Sequence, residues 1–286
     1  MIGQKYSEMD DLIKWAVWGS SSTGKTHFAL SATKLKPDKK VLVFNLEPKS
    51  NLYSVLKRFP EVEERTTVLP TDDDWDDITA KALELDPTEK KSALDAALAY
   101  YIVDKVIDIH FNHRDILKDT FFIMDTASQI YRKLMWEVME ARETDERLKR
   151  MAQLAYSEPK RIFQQLIRYT AMWPTDVIWL GRARQGGEEV LDPQTGKPRW
   201  KAVKGKEDPE WKSMLDFEAT CIIYLTKREE HVMDEQRSYV LDEFGQPKKA
   251  LARYGKITKH KSGRNDVPVI KDPTPSKVVA WLKGMI

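Results

Sequence analysis

Short apolar runs of strand length recur along the chain. In the first two thirds they occupy residues 13–18, 41–46, 120–125 and 176–181. The run at 41–46, VLVFNL, is apolar over almost its whole length, as parallel strands covered on both faces are. The pattern predicts an α/β fold with a mostly parallel central sheet.

Helical spacing of apolar positions fills the intervals between these runs. Residues 26–33 are predicted as a short helix, and residues 129–172 as mostly helical with a break at Ser157. From about 71 to 118, an acidic cluster precedes helical periodicity, which predicts a helical insertion. A closing helix is expected over residues 275–284.

The last third of the chain is predicted to be rich in β-structure. Strands are expected at 219–226, around 238–241 and at 252–258. Before them, residues 185–212 contain several glycines and prolines and are expected to form a flexible basic loop. A β-hairpin turning at Gln194–Gly196 is the alternative. We expect one domain over the whole chain, with the helical insertion and this segment inside it.

Composition limits the class of protein without identifying a ligand. The 286 residues are 41% hydrophobic and carry 47 Lys and Arg against 45 Asp and Glu, a net charge of +2. This balance gives no global attraction to nucleic acid or membrane, so any site for a polyanion must be local. The single cysteine, Cys221, excludes an internal disulfide, and no apolar run reaches membrane-spanning length. We expect an intracellular, cytoplasmic protein.

The segment after the first predicted strand carries the clearest chemistry. Gly19, Gly24, Lys25 and Thr26 match the phosphate-binding pattern GxxxxGK[ST] at every fixed position. Such a loop points its backbone N–H groups at an anion, and large side chains at the two glycines would block it. Lys25 is expected at the β- and γ-phosphates, and the Thr26 hydroxyl at a bound Mg²⁺. The candidate nucleotide-binding residues are Gly19, Ser20, Ser21, Ser22, Thr23, Gly24, Lys25, Thr26 and His27.

Acidic residues end the second and third predicted strands. Glu47 follows the run at 41–46, and Asp125 closes the run at 120–125. Ligands bind at the carboxyl ends of strands in open α/β sheets, so both carboxylates are expected beside the phosphate loop. Asp125 is a candidate ligand of hydrated Mg²⁺, and Glu47 a second functional acid. A solvated glutamate at a strand end is the alternative for Glu47.

Basic residues follow the fourth predicted strand. Arg182 comes directly after it and is a candidate nucleotide-binding residue that senses the γ-phosphate. Further along, cations interleave with a tryptophan, and this combination suits single-stranded nucleic acid because backbone charge and base stacking both contribute. The candidate nucleic-acid-binding residues are Lys197, Arg199, Trp200, Lys201, Lys204 and Lys206.

Taken in order, these motifs resemble those of the RecA-like ATPases. The resemblance is strongest to the compact RecA-like proteins of phages and other mobile elements that help load or anneal single-stranded DNA. GSSSTGKT resembles the Walker A loop, VFNLE the strand that ends in the catalytic acid, and IMDT the Walker B strand. The resemblance implies that Glu47 polarises the attacking water and that Asp125 carries the Walker B role at Mg²⁺.

Three further parts of the chain are interpreted through the same resemblance. Arg182 falls at the family's sensor position, where Gln, His or Asn is usual, and the loop at 185–210 takes the place of the DNA-binding loop. Lys259 and Lys261 match paired cations that RecA-like subunits insert into a neighbour's active site. Alternate residues of a strand share one face, so both lysines can reach one phosphate. A solvated basic strand end is the alternative.

The resemblance implies a RecA-like P-loop core with a helical insertion and a β-rich C-terminal part. It implies an ATPase that uses ATP and Mg²⁺, forms a homo-oligomeric ring or filament, and acts on single-stranded DNA in recombination, annealing or replication. A replication or recombination protein is a further expected partner, and a membrane is not. The alternative is a nucleotide-switch adaptor that controls a helicase or packaging machine. A small-molecule kinase is less attractive because no cluster of lid arginines is evident.

Overall fold

The computed structural model describes most of the chain. It covers residues 12–47, 49–86, 91–135, 157–191, 198–210, 215, 218–234, 236, 238–260 and 267–284. At residues 91, 187–189, 191 and 198–200 it describes the backbone alone.

One open sheet of nine strands organises the described residues. The strands are β1 (Lys14–Gly19), β2 (Lys40–Asn45), β3 (Thr66–Leu69), β4 (Thr120–Asp125), β5 (Val177–Leu191), β6 (Pro198–Pro209), β7 (Cys221–His231), β8 (Lys249–His260) and β9 (Val269–Lys271). Their order is β3, β2, β4, β5, β1, β7, β8, β9, and β6 pairs with β5 outside this row. The pairs from β3 to β7 are parallel, whereas β6, β8 and β9 pair antiparallel. The predicted α/β fold with a mostly parallel sheet is confirmed.

Helices cover both faces of this sheet. They are α1 (Lys25–Ala32), α2 (Lys49–Leu56), α3 (Pro60–Glu63), α4 (Trp75–Leu85), α5 (Lys91–Asn112), α6 (Ala127–Leu134), α7 (Ser157–Met172) and α8 (Pro275–Leu282), with short 3-10 turns at Thr33–Leu35 and Arg114–Leu117. The expected helical insertion corresponds to α4 and α5. No helix in the described ranges has the length and apolar character that crossing a membrane requires.

The apolar runs of the sequence are explained by two core layers, one on each face of the sheet. On β4, Phe122 and Met124 pack into the layer that α5, α6 and α7 cover. Phe121 and Ile123 pack into the opposite layer, under α1, α2 and α8. Because successive side chains of a strand point to opposite faces, a strand buried on both faces must be apolar at every position.

The segment expected as a flexible basic loop has a different structure in its described part. β5 and β6 form an antiparallel ribbon that runs from the pair Ala183 and Pro209 to the pair Leu191 and Pro198, with a bulge opposite Gly186. Residues 192–197, where the hairpin alternative put its turn, lie outside the described residues. No described side chain of β6 is buried, so this strand needs no apolar alternation, and its polar sequence is hard to distinguish from a loop.

Some other short elements also differ from the expectation. The strand predicted around 238–241 is replaced by isolated bridges between Met233 and Tyr239 and between Leu241 and Pro247. The short strands β3 and β9 and the short helices α2 and α3 were not predicted. Elements of three to eight residues contain too few turns or alternations to show a period.

Candidate nucleotide-binding site

The phosphate loop connects the end of β1 to the start of α1 at the carboxyl edge of the sheet. Gly24 has φ of +90° directly before α1, a conformation that favours glycine. A Cβ atom at Gly19 would collide with the backbone oxygen of Leu225. The Thr23 hydroxyl donates to the Ser20 carbonyl at 3.0 Å and closes the turn. The structure therefore explains why the motif has glycine, and no larger residue, at both positions.

Two carboxylates meet the phosphate loop at one point. β2 and β4 are neighbours, and Asn45 at the end of β2 is paired with Asp125. The Thr26 hydroxyl, in the first turn of α1, donates to Asp125 Oδ2 at 2.7 Å. The hydroxyl of Thr126, the residue after Asp125, donates to Glu47 Oε1 at 3.3 Å. Parallel strands that end at one edge thus bring Glu47 and Asp125 together beside α1, although they are far apart in sequence.

Lys25 is folded back onto its own loop. Its Nζ donates to the carbonyl oxygens of Gly19 at 2.9 Å and Ser20 at 2.8 Å, and the residue is only 8% exposed. Burial lowers the pKa of the Lys25 ammonium, while Asp125 and Glu47 oppose this shift. The ammonium is held where an incoming phosphate would meet it.

The Asp125 carboxyl lies in a buried position with incomplete compensation of its charge. Burial raises its pKa to about 6, and the nearby Glu47 carboxylate acts in the same direction. The Thr26 hydroxyl, Lys25 and Arg182 oppose that rise. A carboxylate and a hydroxyl are oxygen ligands of the kind Mg²⁺ takes, with waters and phosphates completing its shell. The donor set at Thr26 and Asp125 therefore fits this ion.

Asp125→Asn is expected to stabilise the nucleotide-free, metal-free protein. The folded-state pKa lies above the ordinary 3.8, so ionised Asp125 lowers the stability of the folded state above about pH 6. This cost disappears below about pH 4, where both states are protonated. We expect the free energy of unfolding to rise by about 1–3 kcal/mol at about pH 8, and the gain to shrink toward pH 4.

Thermal and urea unfolding across this pH range measure the effect. Asp119→Asn, which changes an exposed carboxylate, is the matched control and should leave stability nearly unchanged. An Asp125→Asn protein that is no more stable than wild type at high pH would contradict the electrostatic cost assigned to this carboxylate.

Arg182, at the expected sensor position, is paired with Glu47. Its Nη2 donates to both carboxylate oxygens at 2.6 and 2.7 Å, and its backbone N–H donates to Ser128 Oγ at 3.0 Å. The Gln129 amide, oriented with its oxygen toward the guanidinium, accepts from Arg182 Nη1 at 2.9 Å. Asn45 fixes the other side of the pair, because its side chain bonds both the N–H and the carbonyl of Glu47. The candidate catalytic acid is thus held from two directions.

A cavity of about 350 Å³ opens over the phosphate loop. Its lining includes the sequence-predicted Lys25, Glu47, Asp125 and Arg182. It also includes residues that the sequence analysis missed, which are Asn51, Leu52, Ser54, Val55, Arg58 and Arg253. Arg58 and Arg253 belong to no local motif, so only the fold could identify them.

Glu207 is a further missed residue, and it connects the ribbon to the phosphate loop. Ser20 Oγ donates to Glu207 Oε1 at 2.5 Å, and the Tyr224 hydroxyl donates to Oε2 at 2.6 Å. The Tyr224 ring stacks on Trp18, the residue before the loop, with centroids 4.2 Å apart. Glu207 lies on β6, so one side chain joins the nucleotide loop to the basic ribbon.

Lys259 lies away from the phosphate loop of its own chain. It is paired with Ile222 on β7, and Ile222 is paired with Ala16 near the amino end of β1. The loop leaves the carboxyl end of β1, so Lys259 is near the opposite edge of the sheet. Lys261 lies outside the described residues. Action of these lysines on a neighbouring subunit stays a prediction.

The candidate nucleic-acid-binding residues are only partly described. Lys201, Lys204 and Lys206 are exposed on β6. Lys197 and the side chains of Arg199 and Trp200 lie outside the described part of the structure. The described lysines are therefore on the ribbon that Glu207 connects to the phosphate loop.

The fold and the loop together define a class, the P-loop proteins with an open, mostly parallel α/β sheet. The chain belongs to the AAA domain family, whose model matches residues 12–250. No curated protein matches the chain.

Solved structures with detectable similarity include two proteins of low sequence identity. The RadB recombinase is 13% identical, with a TM-score of 0.40 and coverage of 90% of this chain and 84% of that chain. The flagellar accessory protein FlaH from Methanocaldococcus jannaschii is 12% identical, with a TM-score of 0.42 and coverage of 94% of each chain.

Proposed function

We propose that the chain binds ATP and hydrolyses it with Mg²⁺. The observation that carries this proposal is the meeting of two acids at the start of α1, where Thr26 bonds Asp125 and Thr126 bonds Glu47. Lys25 and the loop N–H groups would hold the β- and γ-phosphates, and Thr26 and Asp125 would hold the metal. A bound Mg²⁺ would neutralise charge that develops on the phosphate oxygens. Glu47 would orient the attacking water for in-line displacement.

Arg182 is the residue through which we propose the site responds to the γ-phosphate. A carboxylate bonded through both oxygens to a guanidinium is a weak acceptor for a water proton. A γ-phosphate would compete for the Arg182 guanidinium, because phosphate also accepts two parallel bonds from arginine. Transfer of Arg182 from Glu47 to the phosphate would release Glu47 for its role at water.

We further propose that the ribbon binds single-stranded DNA and that this binding raises the ATPase rate. The proposal is supported by exposed lysines on β6 and by the Glu207 contact to Ser20 of the phosphate loop. Cations that face the phosphate backbone give affinity without sequence preference. Single-stranded DNA bound along the ribbon would then act on the nucleotide site through Glu207. Recombination, annealing and replication are the processes that use such an activity.

The ATPase rate measured without DNA, with duplex DNA and with single-stranded DNA tests this proposal. We expect stimulation by single-stranded DNA that falls steeply with salt. In the double variant Lys201→Ala, Lys204→Ala, the steepness of the plot of log affinity for single-stranded DNA against log salt should fall by about 1.4. The matched control is Lys118→Ala, Lys160→Ala, which removes two exposed lysines elsewhere. Equal rates with and without DNA would overturn DNA action.

A nucleotide-switch adaptor is the second candidate function. It is favoured by the pairing of both Glu47 oxygens with Arg182, since a catalytic acid held in this way would make hydrolysis slow. Such a protein would bind ATP, turn over slowly and show no response to DNA. The comparison of ATPase rates with and without DNA therefore separates the two candidate functions.

A further inference from the structure

Two arginines in the nucleotide cavity have no role in the mechanism described so far. Arg58 lies in the turn between α2 and α3, and Arg253 lies on β8, yet both line the cavity over the phosphate loop. Both residues are exposed, and among the described residues neither guanidinium has an ion-pair or hydrogen-bond partner. Two unpaired guanidinium groups beside one cavity leave it with unused positive charge and unused hydrogen-bond donors.

The other cations that line the cavity are balanced by carboxylates, so the surplus positive charge of the cavity is that of Arg58 and Arg253. Arg182 is bonded to Glu47, and the charge of Lys25 balances that of Asp125 in the same lining. Among the described lining residues, both carboxylates therefore have a nearby cation. The guanidinium groups of Arg58 and Arg253 have no carboxylate left to pair with in this lining, and an anionic ligand in the cavity would supply that partner.

The position of the two arginines indicates which part of a ligand they would meet. β8 lies beyond β7 on one side of β1, whereas β2 and β4, which lead to Glu47 and Asp125, lie on the other side. The Arg253 guanidinium packs against Gly24, with Nη1 3.4 Å from the place a Cβ atom would take. It is thus across the phosphate loop from the two carboxylates.

His27, in the first turn of α1, connects Arg58 to the same region. Its ring centroid lies 4.9 Å from that of Phe59, the residue after Arg58. His27 lines the cavity over the phosphate loop together with both arginines. In phosphate loops, the lysine reaches the β- and γ-phosphates, and the amides at the helix start hold the α- and β-phosphates. The arginines therefore flank the α-phosphate end of the site.

We propose that Arg58 and Arg253 clamp the α-phosphate of a bound nucleoside di- or triphosphate from opposite sides of the α1 N-terminus. This proposal rests on the proposed nucleotide-binding function and deepens it. A contact to the α-phosphate is shared by ATP and ADP, and it does not change when the γ-phosphate is transferred. The two arginines therefore set affinity for the nucleotide, and the γ-phosphate end of the cavity sets turnover.

Binding and turnover measured on the single variants Arg58→Ala and Arg253→Ala test the clamp. We expect each to raise the Kd for ATP and for ADP by the same factor, about 10- to 100-fold, as for loss of a charged hydrogen bond. The kcat at saturating ATP should stay within about twofold of wild type. Arg253→Lys, which keeps the charge but loses the planar fork, should recover part of the affinity.

The control variant is Arg168→Ala, which removes an exposed arginine on α7 outside the cavity and should bind as wild type does. Unchanged Kd values in Arg58→Ala and Arg253→Ala, with wild type binding ATP, would overturn the clamp alone. A loss of ATP affinity without a loss of ADP affinity, or a large fall in kcat, would assign the arginines to the γ-phosphate and also overturn it. A wild-type protein that binds no nucleotide would overturn the proposed function together with the clamp.

Discussion

Lys25→Ala is expected to abolish ATP binding, with a loss of affinity of about 100-fold or more. The Lys25 ammonium is buried against the carbonyl oxygens of Gly19 and Ser20, where a β- or γ-phosphate would replace or join those acceptors. Its removal deletes a charged hydrogen-bond donor and leaves Asp125 and Glu47 to repel the incoming phosphate. A charge-assisted contact is worth about 1.5–3 kcal/mol, and the added repulsion increases the loss. Calorimetric titration with ATP measures it.

Two further variants make this result interpretable. Lys57→Ala removes an exposed lysine near the end of α2 that does not line the cavity, and it should bind ATP with wild-type affinity. Lys25→Arg keeps the charge but replaces a compact ammonium with a larger planar guanidinium, so it should bind weakly as well. Wild-type affinity in Lys25→Ala would show that the glycine-framed turn does not hold the phosphates.

The phosphate loop and its two acids could be predicted because their information is local. The glycines, Lys25 and Thr26 are consecutive or nearly so, and they follow an apolar strand and precede a helix. To predict that Glu47 and Asp125 lie close together required one additional physical rule, that the carboxyl ends of parallel strands lie at one edge of the sheet. Neither inference depended on the exact order of the strands.

Residues that act through long-range pairing could not be found in the same way. Arg253 reaches Gly24 only because β8 lies beyond β7 at that height of the sheet, and Glu207 reaches Ser20 only because β6 folds back on β5. Arg182 was identified as a sensor candidate, but its bonds to Glu47 could not be predicted from spacing. Side-chain pairing across strands depends on register, which a single sequence does not determine here.

Lys259 and Lys261 show a related limit of prediction from residue spacing. Their spacing predicts that they share one face of a strand, but spacing does not tell which end of the sheet the strand reaches. β8 runs antiparallel to β7, and this direction carries Lys259 away from the phosphate loop of its own chain. A role for Lys259 at a nucleotide therefore requires another subunit, whereas Arg253, earlier on the same strand, lies in the cavity of its own chain.

Glu47→Gln is expected to preserve ATP binding and to reduce kcat by about 100- to 1,000-fold. The amide has nearly the same shape and can still accept a bond from Arg182, so the structure around Asn45 should be retained. It cannot hold the negative charge that polarises the attacking water, so the loss should appear in turnover and not in affinity. Because a neutral amide at position 47 forms no ion pair with Arg182, the guanidinium would be freer to bind the γ-phosphate. The Kd for ATP should therefore be equal to that of wild type or lower.

Steady-state ATPase rates and ATP titrations on the same preparations test both halves of this expectation. Glu63→Gln, at an exposed carboxylate of α3 outside the cavity, is the matched control and should be unchanged in both assays. Hydrolysis by Glu47→Gln at the wild-type rate would remove Glu47 from the catalytic role. The Glu47 carboxylate repels phosphate, so its neutralisation alone should not weaken ATP binding. Weakened binding in this variant would instead mean that the Glu47–Arg182 ion pair maintains the shape of the cavity.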